Sequence, residues 1–141
     1  MSTRLLAPLV SFLLAIAALA QEPEKKHPID VKLEKAEDEA SSTADQRDVQ
    51  SLALKLWDAE MNRVYTKLRK ALKPAAATAL QAAQREWLNY RDAEVKFLDE
   101  MYAAFEGTMF IPMHMAAVAR VTRERALRLT RLLETQQEFA E

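Results

Sequence analysis

Two groups of residues in this sequence carry side chains suited to chemistry. The first is Met109, Met113, His114 and Met115, within the stretch EGTMFIPMHMAA. Thioether sulfur beside imidazole suits a soft cation such as Cu(I). The second is Asp58, Gln84, Arg91, Glu94 and Arg125, polar residues that fall where helical spacing otherwise places apolar ones. Burying an unpaired charge is costly, so such groups need partners. A guanidinium can satisfy two acceptors at once. The pattern therefore predicts a buried network of Asp58, Arg91, Glu94 and Arg125, with Gln84 and Tyr65 hydrogen-bonded at its edge. That network either fixes helix register or opens in part onto a binding groove.

Other chemistries lack their residues. The chain has no cysteine, so a thiol nucleophile is excluded. Its serines, Ser2, Ser11, Ser41, Ser42 and Ser51, have no histidine nearby in sequence, and the only histidines are His27 and His114. There is no glycine-rich phosphate loop and no H-E-x-x-H pair. Paired carboxylates for glycoside hydrolysis need a cleft, which slim packed helices do not offer. The chain is read as a non-enzyme without cofactor. The copper reading is weak too. Neighbouring helical residues point about 100° apart, so Met113, His114 and Met115 cannot converge if a helix begins at Pro112. They would need an irregular loop, or help from Met101 or His27.

The elements that must position these residues are helices. One glycine in 141 residues, with many Ala, Leu, Glu, Lys and Arg, leaves little room for anything else. The first long helix is expected from Thr43, with Gln46 at capping-box spacing, to about Lys73. Leu54, Asp58, Met61, Tyr65, Leu68 and Leu72 would share its inner face, and Val49, Leu52, Ala53 and Leu56 would need cover elsewhere. Lys73-Pro74 breaks the chain. The second long helix runs to about Phe105, its inner face Leu80, Gln84, Trp87, Arg91, Glu94, Leu98, Met101 and Phe105. Gly107 would close it in a left-handed cap, and Met109, Phe110 and Ile111 would form a corner tucked against the end of the helices. Pro112 opens the third, to about Gln137, with Met115, Val118, Thr122, Arg125, Ala126, Leu129 and Leu133 inside. Folding at Lys73-Pro74 sets Asp58 opposite Arg91. The expected fold is all-α: an up-down-up three-helix bundle of long helices, with a short N-terminal helix or arm, begun at Asp30, packed on it.

Before this, Arg4, the apolar run Leu5 to Ala17 and the Ala18-Leu19-Ala20 site read as a signal peptide over 1–20. A flexible tether over 21–29 and a helical domain over 30–137 would follow. Losing Arg4 moves the net charge from −1 to −2, which offers no general field for nucleic acid. Signal removal leaves no membrane span. The expected location is periplasmic or secreted, and the fold must hold without disulfides.

Several stretches together carry a family resemblance. WDAEMNRVYTKLRKAL, Trp57 to Leu72, precedes LQAAQREWLNYRDAE, Leu80 to Glu94, then Gly107-Thr108 and VTRERALRL, Val121 to Leu129. They resemble the family of proteins similar to the N-terminal domain of the lysozyme inhibitor LprI. The matching positions are Asp58, Met61 in place of a leucine, Asn62 and Tyr65. They continue with Ala83, Gln84, Trp87, Tyr90, Arg91 and Asp92, then Gly107, Arg123, Arg125, Ala126 and Leu129. HPID, His27 to Asp30, resembles the start of many members. The likeness spans about residues 27–133 and implies an exported helical domain. Many members carry cysteines that look like disulfide staples; the corresponding positions here, near Ala36, Val49, Val95 and Val118, are apolar or small.

These observations favour a protein-binding module, with lysozyme the partner the resemblance implies, or another envelope protein. Lysozymes of the common animal type are basic, and Glu34, Glu37, Asp38 and Glu39 form an acidic cluster that could steer one in. Arg120, Arg123, Arg128 and Arg131, expected on the outer side of the third long helix, would repel it and suit anionic envelope polymers. A structural or self-associating envelope protein is the alternative reading. The sequence sets no oligomeric state.

Overall fold

The computed structural model describes residues 26–139; the signal segment and most of the tether lie outside them. The described chain is all-α, four helices without a strand: α1 Pro28–Glu39, α2 Thr43–Ala71, α3 Pro74–Ala103 and α4 Phe110–Phe139.

Local chemistry sets the ends. His27, not Asp30, caps α1: its Nδ1 accepts the Ile29 N–H at 3.2 Å, with Pro28 in the first turn. The capping box of α2 sits one residue earlier than expected. Asp45 N–H donates to Ser42 Oγ at 3.1 Å, and Ser42 N–H donates back to Asp45 Oδ2 at 2.9 Å. Asp45 also accepts from the Ser41 hydroxyl and amide, and these bonds, led by the Ser42 hydroxyl's, hold its carboxyl below the usual aspartate range. Pro74 opens α3 as expected, where a missing N–H costs nothing.

The last corner departs from expectation. α3 ends at Ala103, and Phe105 N–H donates to Tyr102 O at 3.1 Å. Gly107 is therefore not the cap of α3. Its φ of 113° serves the entry to α4, where Phe110 N–H donates to Gly107 O at 3.3 Å and Ile111 N–H to Thr108 O at 3.2 Å. α4 starts at Phe110, two residues before Pro112. Met109 and Ile111 are exposed rather than tucked in, while Phe110 packs its ring on Phe105 at 5.0 Å.

The core lies mainly between α2 and α4, which share the most extensive interface, while α2 and α3 touch least. Ala53 and Trp57 line one groove with Ala116, Ala119 and Arg123. Packing on α4 rotates α2 by about one residue from the expected face. The buried row is Val49, Ala53, Trp57, Met61, Val64 and Leu68. Trp57 is 1% exposed and Val64 fully buried, whereas Asp58 faces solvent. On α4 the buried row is Pro112, Ala119, Thr122, Ala126, Leu129 and Leu133. α1 adds Leu33 to the same core, and its Glu37 accepts from Gln50 Nε2 of α2 at 3.1 Å.

α3 is held less. Only Gln84 and Leu98 are buried along its whole length. Met101 and Phe105, expected inside, are 36% and 47% exposed.

Candidate functional site

The predicted buried ionic network does not form. Asp58 faces solvent, where Asn62 Nδ2 donates to its Oδ2 at 3.2 Å and to its backbone carbonyl at 2.9 Å. Arg91 turns to its neighbour Asp92, with Nη2 at 2.9 Å from Oδ1. Asp58 and Arg91 do line one groove of about 440 Å³, with Val95, Val118 and Thr122, but form no ion pair with each other. The reason is the rotation of α2 toward α4. Both charges keep access to water, and a hydrated charge has little to gain from pairing. Glu94 also has no ion-pair partner among the described residues. Tyr65 is partly buried against the core instead of hydrogen-bonded.

What does form is a smaller contact between the three long helices. Gln84 is buried at the point where they meet. Its amide nitrogen lies 3.7 Å from the Met61 sulfur, and its oxygen accepts from Arg125 Nε at 3.0 Å. Arg125 and Arg91 each lie 5.6 Å from the Trp87 ring centre, within cation–π reach. Burial, and then the charge of Arg128, weaken the hold of the Arg125 guanidinium on its proton. Only one hydrogen bond and one ring fix this group.

A second constellation was not foreseen. Trp57 is contacted by the His27 ring at 4.8 Å and by the Arg123 guanidinium at 5.4 Å. Arg123 donates two hydrogen bonds to Asp30, at 2.9 and 2.7 Å. His27 Nε2 lies 3.5 Å from Glu60, which also takes Arg63 at 2.6 Å. Those Arg63 hydrogen bonds, opposed by burial and aided by the charges of Arg63 and His27, hold the Glu60 carboxyl below its usual range. The HPID stretch was the signal for this cluster, since His27 and Asp30 supply two of its members. Reading His27 into a tether hid it. The cluster ties α1 to α2 and α4, and its arginine is Arg123, which therefore does not lie on the outer side of α4 with the others.

The methionine–histidine stretch also resolves. His114 Nε2 is 2.8 Å from Asp99 Oδ1 of α3, and the ring lies 5.4 Å from that of Tyr102. Met113 is exposed and Met115 partly so. His114 thus helps join the ends of α3 and α4. Among the described residues no three His, Cys, Asp or Glu side chains gather as a metal-holding group.

Two surfaces remain that can bind. One is the outer face of α3. Tyr90, Phe97 and Met101 follow helical spacing along it, with Tyr90 55% and Phe97 57% exposed, and Phe105 lies just past its end with its ring on Phe110. Glu86, Glu94 and Glu100 share that side by the same spacing. The other is the groove between α3 and α4, of about 630 Å³, with Trp87, Tyr90 and Glu94 on one wall and Arg120, Arg125, Arg128 and Arg131 on the other.

The profile of the family described as "Lysozyme inhibitor LprI" matches residues 34–129, most of the chain. The chain belongs to the lysozyme inhibitor LprI family. In this LprI family member the matched span runs from within α1 to Leu129 of α4, so it takes in both surfaces and the Gln84–Arg125 contact. Of the four positions near which other members carry cysteines, Ala36 and Val49 both belong to the hydrophobic core. Val95 and Val118 line one groove. No curated protein and no solved structure matches the chain. No helix among the described residues is long and apolar enough to cross a membrane.

Proposed function

We propose that this chain is an exported, periplasmic or secreted, non-enzymatic module that binds lysozyme and slows it, and that the outer face of α3 makes the contact. In this reading residues 1–20 are a signal peptide, 21–29 a tether and 30–137 the binding domain. Its long helices are arranged up, down and up, with α1 as an arm across them. The observation that carries the reading is the exposed row Tyr90, Phe97 and Met101 in a chain of the lysozyme inhibitor LprI family. From Tyr90 to Met101 the row is about 16 Å long on a helix, and exposed aromatics are common anchors of protein interfaces. Glu86, Glu94 and Glu100 beside it, and the exposed Glu34, Glu37, Asp38 and Glu39 of α1, complement a basic lysozyme and favour fast association.

The test is lysis of cell-wall substrate by lysozyme at increasing amounts of the protein, with size exclusion of the mixture. Lysis should stop near equimolar protein, and a joint peak should elute. The double change Tyr90→Ala with Phe97→Ala should weaken inhibition at least tenfold while melting is unchanged. Undiminished lysis at tenfold excess of protein would rule the reading out. The same apolar row also suits a second copy of the chain, as in a structural, self-associating envelope protein. Elution of the protein alone as a dimer, dispersed by the same double change, would favour that alternative.

A further inference from the structure

The groove between α3 and α4 gathers four arginines along one wall. Of the arginines outside it, Arg63 takes Glu60, Arg91 takes Asp92 and Arg123 takes Asp30, while Arg47 and Arg69 on α2 and Arg85 on α3 pair with no carboxylate among the described residues. Arg120, Arg128 and Arg131 are exposed, line the groove, and pair with no carboxylate among the described residues. Arg125 joins them, oriented by the hydrogen bond of its Nε to Gln84 and by the Trp87 ring. Glu94 and Glu124 also line the groove, yet neither forms an ion pair with these arginines.

We propose that this groove binds a linear polyanion bearing repeated phosphate groups. Guanidinium forks match phosphate oxygens in pairs. From Arg120 to Arg131 the helix rises about 16 Å, too far for one small anion to reach both ends but suited to a chain of them. Arg128 is near enough to Arg125 to make its proton easier to lose, and a phosphate between two such cations removes their repulsion. This site does not rest on the lysozyme reading, although Tyr90 and Glu94 border both surfaces; its arginines repel a basic partner.

The purified full chain should be titrated with linear polyphosphate and, separately, with inorganic phosphate, following tryptophan fluorescence and calorimetry at several salt concentrations. Polyphosphate should bind, and inorganic phosphate at least a hundredfold more weakly. The variant R120E/R128E/R131E should keep its helical circular dichroism, since all three side chains are exposed, and bind polyphosphate at least tenfold more weakly. Its dependence of log affinity on log salt should flatten by about 0.7 per lost contact. A control variant K67A/R69A/K70A, at exposed positions of α2, should bind like the parent. The proposal is overturned if the groove variant binds as tightly as the parent, if the control loses as much, if polyphosphate does not bind at low salt, or if inorganic phosphate binds as well as the polymer.

Discussion

At the scale of single residues, burial decides which charges act. Asp58, Arg91 and Glu94 retain water and are held loosely or not at all, while Glu60, whose side chain is only 12% exposed, is fixed by Arg63 and faces His27. The folded state holds the Glu60 carboxyl below its ordinary 4.5. A lowered carboxylate pKa means the folded state binds this proton less readily than the unfolded one. Its stabilisation is thus complete above pH 4.5 and fades as pH falls through the folded value. Glu60→Gln is expected to lower stability by about 1 kcal/mol at neutral pH, the discount reflecting the half-exposed Arg63. Urea unfolding at neutral pH and near pH 3 checks this: the gap between variant and parent should close in acid, and a gap of constant size would refute the assignment.

At the scale of elements, the turns were easier to read than the faces. Proline at 74 marks the start of α3 directly, because the ring fixes one backbone angle and bars the preceding residue from continuing the helix. The all-α class followed from a chain nearly free of glycine. The inner face of α2 could not be read the same way. Leu54, Tyr65 and Leu72 extend one row and Val49, Ala53, Trp57 and Val64 another about one residue away, with Met61 and Leu68 common to both. Choosing between them requires knowing that α4, not α3, is the main partner, and helical spacing carries no partner identity. The candidate surface on α3 was hidden for the same reason: Met101 and Phe105 have the residue types of a core, and only the packing reveals that they stay outside. This yields a contrast for measurement. Leu129→Ala, at a fully buried position of α4, is expected to cost about 2–5 kcal/mol. Phe97→Ala, on the open face of α3, should change stability by no more than about 0.5 kcal/mol. Denaturant midpoints of the two variants give the comparison, and similar losses in both would mean that α3 is buried in solution.

At the scale of the whole molecule, stability is distributed unevenly. α2 and α4 enclose the core, while α3 contributes two buried residues. Hydrogen exchange should therefore show α3 amides opening well before those of α2 and α4 near Trp57 and Leu129, since local opening costs least where few apolar contacts are lost. Mass spectrometry of exchanged peptides reads this directly, and uniform protection across the long helices would contradict it. The pairing of α2 with α4 also constrains the route to the native state. Helices adjacent in sequence can zip from their turn, but α3 intervenes between these two. The indole of Trp57 gains its walls, Ala119 and Arg123, only after the chain has closed a loop that contains all of α3. Loop closure lowers entropy before any burial offsets it, which raises the contact order and slows folding relative to a bundle built from neighbouring hairpins. A nascent chain that ends within α3 has no core to complete, so the fold is decided late, when α4 arrives.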